Sequence, residues 1–175
     1  MSVKIDIRGL TELSGKVDRM IKEYPVEIKN ELNAWADLTA NDAMMMVPVD
    51  EGGIKKTIKP KYATDKELTA EVTVGANYAA YVEFGTRKYA ASYVGSLPAD
   101  WQIMAAERKG SGGGTFAEFI SRIMGWMKRK GVEQKYLYPI ALKILRDGIK
   151  PHPFLYPAYI KNVQKLKANL KTLFS

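Results

Sequence analysis

The sequence predicts an α+β fold in which a small, mainly antiparallel sheet packs on a long N-terminal helix and a C-terminal helix, with a helical insertion. Three patterns predict it. Apolar residues alternate with polar ones over residues 3–7, which is the period of a half-buried strand. An apolar stripe with steps of three and four then runs over residues 10–47, as on a helix. Two further strands, at residues 57–63 and 68–75, are separated by a short polar turn, which predicts a hairpin.

Pro25 interrupts the long helical stripe and leaves two interpretations open. Proline either kinks one continuous helix or occupies the first turn of a second helix, because it lacks an N–H donor. A continuous helix ending at Val47 would be roughly 55 Å long at about 1.5 Å per residue. Pro48 ends the stripe, and a turn over residues 50–53 leads into the first hairpin strand. The turn of the hairpin itself is predicted at residues 64–67.

The second half of the chain is predicted to be mainly helical. Residues 77–86 fit either a strand or a short helix, and residues 87–98 are predicted to be irregular. The predicted helices cover residues 99–108, 116–130, 135–147 with Pro139 in the first turn, and 157–173. Thr115 and Glu118 predict a capping box, and Gly131 and Gly148 predict helix ends. The glycine-rich run at residues 110–114 predicts a flexible loop.

Composition narrows the function classes. The chain has 175 residues, which suits one domain or one domain with an insertion. It has no cysteine, which excludes disulfides, thiolate catalysis and zinc–sulfur sites. No apolar run has the length of a signal peptide or of a membrane span, so we expect a soluble protein. The net charge of +8 fits contact with nucleic acid, contact with another anionic surface, or solubility alone.

Candidate catalytic residues are few. His152 is the single histidine and lies between two prolines, so we expect an ordinary loop residue and no nucleophilic triad. Carboxylates near turns could bind magnesium or calcium, but their spacing fits no ion-binding loop, and solvated or capping roles are expected. The glycine-rich run lacks the lysine of a phosphate-binding loop. The carboxylates considered are Asp42, Asp50, Glu51 and Glu83.

Three segments resemble one family. The first, at residues 47–58, reads VPVDEGGIKKTI, and the second, at residues 74–86, reads VGANYAAYVEFGT. The third, at residues 153–158, reads PFLYPA. Together with the long helix they resemble the head–tail joining, neck or tail-completion family of gene product ten of a lambda-like siphophage. The motif residues are Pro48, Asp50, Gly52, Ile54, Tyr78, Ala79, Tyr81, Val82, Glu83, Phe84, Gly85, Thr86, Pro153, Phe154, Leu155, Pro157 and Ala158.

The resemblance has limits that predict the domain organisation. Glu51 stands where the family usually has threonine, and Ile54 where it usually has leucine. Many members have only a short link where this chain has residues 91–150. We therefore predict a core α+β domain at residues 1–90 plus 151–175 and a helical insertion at 91–150, with its loop at 110–114. The insertion is similar to that of a prophage-element subgroup.

The resemblance implies a structural virion subunit rather than an enzyme. It implies a homo-oligomeric ring, six-fold, at the head–tail junction, which joins or completes the tail and leaves a channel for DNA. The implied partners are copies of the chain, connector or head-closure proteins, tail-tube or tail-terminator proteins, and DNA without sequence-specific contacts. No cofactor, metal or membrane is expected, and assembly is expected in the host cytoplasm.

Several residues are candidates for subunit contacts. Glu83 could pair with Arg87 one helical turn away or reach across a subunit boundary. The run of methionines at 44–46 could form an adaptable interface or fill a core. The lysines of the last helix could meet DNA phosphates or form a solvated face. The candidate interface residues are Trp35, Met44, Met45, Trp101 and Trp126.

Two other functions stay open at this point. The first is a basic DNA-binding protein of phage origin, which would need a contiguous lysine and arginine face and strongly salt-dependent binding. The second is a hydrolase with a carboxylate-bound metal, which would show chelator-sensitive activity.

Overall fold

The computed structural model of the chain describes residues 1–6, 21–48, 53–76, 78–107 and 115–173. The chain forms two compact units: the first unit is Met1–Ala79 with His152–Ser175, and the second unit is Ala80–Pro151. Whether residues 91–150 are an insertion into an older core stays a prediction. The elements are β1 (Ser2–Asp6), α1 (Pro25–Met46), β2 (Ile58–Lys61), β3 (Thr69–Val74), α2 (Ala79–Phe84), α3 (Arg87–Val94), α4 (Ala99–Glu107), α5 (Phe116–Lys130), α6 (Leu137–Asp147) and α7 (Leu155–Leu173), with 3-10 turns at Lys55–Thr57 and Gln134–Tyr136.

The sheet of the first unit confirms the α+β class. In the described part of the chain it has three strands in the order β1-β3-β2, and both pairs are antiparallel. Val3 lies opposite Val72, and Ile58 lies opposite Val74, so one face of the sheet is apolar and buried. Between β2 and β3, Thr64 and Glu67 exchange backbone hydrogen bonds of 2.9 and 3.2 Å. The predicted hairpin and its turn are therefore confirmed, although both strands are shorter than predicted.

Helix α1 begins at Pro25, which takes up the first turn, so the second of the two interpretations of Pro25 is correct. Tyr24 has φ −130° and ψ 46°, values outside the helical region, and the described helical residues 21–23 end before it. The single rod of 55 Å is therefore wrong. Helix α1 has 22 residues, which gives a length of about 33 Å at ~1.5 Å per residue.

The core of the first unit forms where α1 packs on the sheet and on α7. Ile28, Leu32 and Ala36 on α1 are fully buried, as are Leu155 and Leu170 on α7. Apolar residues recur at steps of three and four along each of these two helices, and this spacing explains why each helix buries one face. Helix α7 begins at Leu155, two residues before the predicted start at Pro157, because proline is accepted within the first turn of a helix.

The second unit is helical, and its best-predicted element is α5. Thr115 accepts a hydrogen bond from the Glu118 N–H at 3.2 Å, and Glu118 accepts one from the Thr115 N–H at 3.0 Å, which completes the predicted capping box. Gly131 ends the helix with φ 65°. Helices α5 and α6 pack together around Ile123, Met127, Leu137 and Ala141.

One region of the second unit differs from the prediction. Residues 87–94, predicted to be irregular, form α3. Residues 79–84 form a short helix, which is one of the two alternatives predicted for this segment. No proline or glycine lies within α3, so nothing local prevents a helix, and α3 contacts α6. The predicted loop at residues 110–114 lies outside the described residues. Among the helices that the structure describes, none has the length and apolar character needed to cross a bilayer.

Candidate functional site and interaction surfaces

The first motif segment ends α1 and leads the chain back to the sheet. Val47 is buried and donates its N–H to the Ala43 carbonyl oxygen at 3.0 Å, while its ψ of 131° takes the chain out of the helix before Pro48. Ile54 is buried, 5% exposed. Asp50, Glu51 and Gly52 lie outside the described residues.

The first and second motif segments meet in the first unit. The Thr57 hydroxyl donates to the Ile54 carbonyl oxygen at 2.8 Å and accepts from the Ala76 N–H at 3.2 Å. A side chain at Gly53 would overlap the Tyr78 hydroxyl, so glycine allows this tyrosine to approach the turn. These two segments of the motif therefore form one structural joint at the end of the hairpin.

The remainder of the second motif segment holds together the two ends of the second unit. The Thr86 N–H donates to the Ile149 carbonyl oxygen at 2.9 Å, and the Thr86 hydroxyl accepts from the Ile149 N–H at 2.8 Å. Gly85 has φ 72°, and a Cβ there would lie 2.7 Å from the Ile149 carbonyl oxygen. Gly148, with φ 90°, is in direct contact with Thr86 in the same way. Glycine is therefore required in both of the segments that meet here, at position 85 and at position 148. We call this meeting of residues 85–86 with residues 148–149 the crossing.

An ion pair reinforces the same crossing. Asp147 is buried and accepts hydrogen bonds from Arg146 at 3.0 and 3.1 Å and from Lys88 at 2.9 Å. The hydrogen bonds from Arg146 and then from Lys88 hold the pKa of Asp147 well below its usual range. Sequence reasoning missed this cluster, and the signal that could have found it was an aspartate directly before a helix-ending glycine.

Tyr81 and Val82 of the same segment are half-buried, and Glu83 and Phe84 lie in the interior of the second unit. Phe84 packs on Trp101 with ring centroids 6.4 Å apart and planes at 66°. Glu83 is fully buried and Arg87, at the start of α3 with φ 53°, is exposed. Both interpretations of Glu83, a local pair with Arg87 and a contact across a subunit boundary, stay predictions.

The third motif segment starts α7 and belongs to the first unit. Phe154, Leu155 and Ala158 are fully buried, and Pro153 and Pro157 are half-buried, as expected of an apolar segment that returns the chain to the core. Ala79 of the second segment is also fully buried. These residues act in packing in this structure.

A buried polar cluster joins α1 to α7. Asp42 accepts hydrogen bonds from the Asn162 amide at 2.8 Å and from the Lys161 ammonium group at 3.0 Å. Burial raises the pKa of Asp42, but the hydrogen bonds from Asn162 and Lys161 outweigh burial and leave the pKa below its ordinary value. Asp42 is therefore engaged in packing two helices and has its oxygens occupied. A carboxylate in the apolar stripe of α1 was the signal for this cluster.

The candidate interface residues divide into two groups. Trp35 and Trp101 are 2% and 1% exposed, so each fills the interior of its own unit, where Trp35 makes an edge contact with Tyr159 at 6.1 Å. Met44 is half-buried, whereas Met45 and Trp126 are 73% and 38% exposed. A role in subunit contacts stays a prediction for all five residues. Met45 and Trp126 are the two whose side chains are exposed enough to touch another subunit.

Helix α7 presents a second kind of surface. Its outward side forms an open depression lined by apolar and basic residues, among them Tyr156, Ile160, Lys161 and Lys165. Lys161 already pairs with Asp42, so the depression is less basic than the sequence indicates. His152 lies exposed just before α7.

In the part of the chain that the structure describes, no three histidine, aspartate or glutamate side chains lie close enough together to bind a metal ion. The expectation that the protein needs no metal or cofactor and is not an enzyme stays a prediction.

Comparison with known proteins gives a match for the part of the chain that contains the first motif segment. Residues 10–85 match the family model HK97-gp10-like, described as "Bacteriophage HK97-gp10, putative tail-component". This segment is similar to the HK97-gp10-like family. The match contains the first motif segment and most of the second, which confirms the resemblance predicted from them. Neither a curated protein nor a solved structure matches the chain.

The match gives the coarse function. It indicates a phage tail component, and a tail component is part of the virion. The match ends at Gly85, at the crossing that ties together the two ends of the second unit.

Proposed function

We propose that the chain forms a homo-oligomeric ring at the head–tail junction of a phage or prophage-derived tail particle. The ring has six copies, joins or completes the tail, and leaves an axial channel through which DNA passes without base-specific contacts. Its neighbours are connector or head-closure proteins on one side and tail-tube or tail-terminator proteins on the other. The work is mechanical and requires neither catalysis nor a cofactor.

The observation that carries this proposal is the apolar surface of the second unit. Seven of its large apolar side chains in the described residues are more than a third exposed, while only a small core forms between α5 and α6. Large exposed apolar patches mark interaction sites in soluble proteins. The exposed residues are Ile103, Phe116, Trp126, Tyr136, Tyr138, Leu142 and Ile149.

A ring follows if the partner of this surface is another copy of the chain. A contact between two different surfaces of identical subunits is head-to-tail, and it closes into a ring when the rotation between subunits fits. The match to a tail-component family supports a place in the tail.

The mass of the purified chain in solution tests the ring. Mass photometry over a range of concentrations should show one discrete oligomer with no continuous ladder of larger species. A chain that stays monomeric at all concentrations, and occurs as a single copy in its particle, would contradict the proposal.

A DNA-binding role is the second candidate, and α7 favours it. This helix carries four lysines and no acidic residue, and Lys165 lies exposed beside Tyr156 in the outward depression. Phosphate contacts through lysine weaken steeply as salt rises. Binding of duplex DNA by the monomer, with a steep salt dependence that Lys165→Glu reduces, would favour this function over the ring.

A further inference from the structure

The outward side of α6 carries an apolar stripe that the second unit does not cover. Tyr138 and Leu142 are 64% and 63% exposed, and Leu145 is partly exposed one turn further on. The three lie at steps of four and three, so they share one face of the helix. The adjoining face, with Leu137 and Ala141, already packs against α5.

The outward side of α1 in the first unit carries a stripe of the same length. Leu38 and Met45 are 46% and 73% exposed, and they are seven residues apart, as Tyr138 and Leu145 are. Seven residues correspond to about 10 Å along a helix at ~1.5 Å per residue. The apolar residues of the two stripes therefore extend over the same length of helix.

Charge distinguishes the two stripes and makes them complementary. The exposed charged residues of α6 are Lys143 and Arg146, both basic. Those of α1 are Glu27 and Asp37, both acidic, since the one lysine of α1 is three-quarters buried and paired with Asp65. Opposite charges around an apolar centre favour a specific pairing and disfavour self-pairing of either stripe.

We infer that α6 of one subunit packs on the outward face of α1 of a second copy of the chain. Tyr138, Leu142 and Leu145 lie against Leu38 and Met45, with the basic residues of α6 near the acidic residues of α1. The contact joins two different surfaces, so each subunit offers one stripe to each neighbour. This inference rests on the proposed ring and names the surfaces that close it.

Cysteine cross-linking tests the contact directly, because the natural chain has no cysteine. Full-length Leu38→Cys and Leu142→Cys chains are mixed and treated with a short bismaleimide. The mixture should give a covalent dimer containing one chain of each kind, and neither variant alone should. The double variant Leu38→Cys/Leu142→Cys should give a ladder that ends at the size of the ring. Lys165→Cys mixed with Leu142→Cys is the control and should give no such dimer.

A second measurement does not depend on cross-linking geometry. Leu142 is exposed, so Leu142→Asp should leave the melting temperature of the chain unchanged at concentrations where it is monomeric. It should raise the concentration needed for assembly at least about tenfold, as the loss of one buried leucine contact does. Leu173→Asp, at the exposed end of α7, is the matched control and should leave assembly unchanged.

The outcomes separate this contact from the ring itself. A natural chain that forms no oligomer overturns both proposals. A natural chain that forms the ring overturns the contact alone if Leu38→Cys and Leu142→Cys cross-link no better than the control pair. Cross-linking of Leu142→Cys to a cysteine of a different tail protein in the particle also overturns it.

Discussion

Replacement of Gly85 by alanine should destabilise the second unit, because two penalties coincide there. Gly85 has φ 72°, a conformation that costs an L-residue about 1–2 kcal/mol. A Cβ would also lie 2.7 Å from the Ile149 carbonyl oxygen and 2.9 Å from Pro151, both parts of the backbone or of a rigid ring. Relieving such overlap costs about 1–3 kcal/mol. We therefore expect Gly85→Ala to lower the free energy of unfolding by about 2–5 kcal/mol.

Gly131→Ala is the matched control for this prediction. Gly131 has φ 65°, but a Cβ there would meet nothing within 4 Å. Only the conformational penalty of about 1–2 kcal/mol applies to it. Urea denaturation followed by circular dichroism gives both losses, and hydrogen exchange at the Thr86 and Ile149 amides reports the crossing itself. Equal losses for the two variants, with exchange at Thr86 unchanged, would refute the role assigned to this glycine.

Four further substitutions test other parts of the structure. Asp42→Ala removes one of the two acceptors of the buried Asn162 amide, which keeps only the Ala158 carbonyl oxygen, and should cost about 1–3 kcal/mol in urea denaturation; an unchanged midpoint would contradict the cluster. Burial raises the pKa of Asp42, but the hydrogen bonds from Asn162 and Lys161 outweigh burial, so the pKa is lowered in the folded chain. The ionised carboxylate therefore stabilises the fold fully above the unfolded pKa of about 3.9. This stabilisation is lost as the pH falls through the lower pKa of the folded chain. Melting temperatures should therefore show that the gap between the natural chain and Asp42→Asn narrows in acid; a gap that widens there would oppose this. Thr115→Ala removes the cap of α5 and should lower the free energy of unfolding by about 1 kcal/mol. The buried hydroxyl of Thr39 has no partner among the described residues. Thr39→Val should therefore change the free energy of unfolding by less than about 1 kcal/mol.

Local signals made α5 predictable to its last residue. Thr115 and Glu118 satisfy each other's N–H groups, and Gly131 supplies the left-handed ending, so both ends depend only on residues nearby in sequence. The hairpin turn at residues 64–67 was predictable for the same reason. The position of the helix break at Tyr24 was not, because Pro25 is compatible with a kink and with a new helix alike.

Features that depend on distant residues could not be predicted from pattern. Thr86 and Ile149 are 63 positions apart in sequence and pair by one backbone hydrogen bond and one hydrogen bond to the Thr86 hydroxyl, which no periodicity indicates. Helix α3 was not predicted because it contacts α6, whose residues are distant from α3 in sequence. Trp35 and Trp101 attracted attention as aromatic residues, but sequence does not distinguish a buried tryptophan from an exposed one.

Cryo-electron microscopy of the tail particle, with this chain carrying a label, tests the central claim most directly. The account predicts a closed ring of identical labelled subunits around the tail axis at its head-proximal end, with an open centre. Label found once per particle, or distributed along the length of the tail with no closed ring, would contradict it.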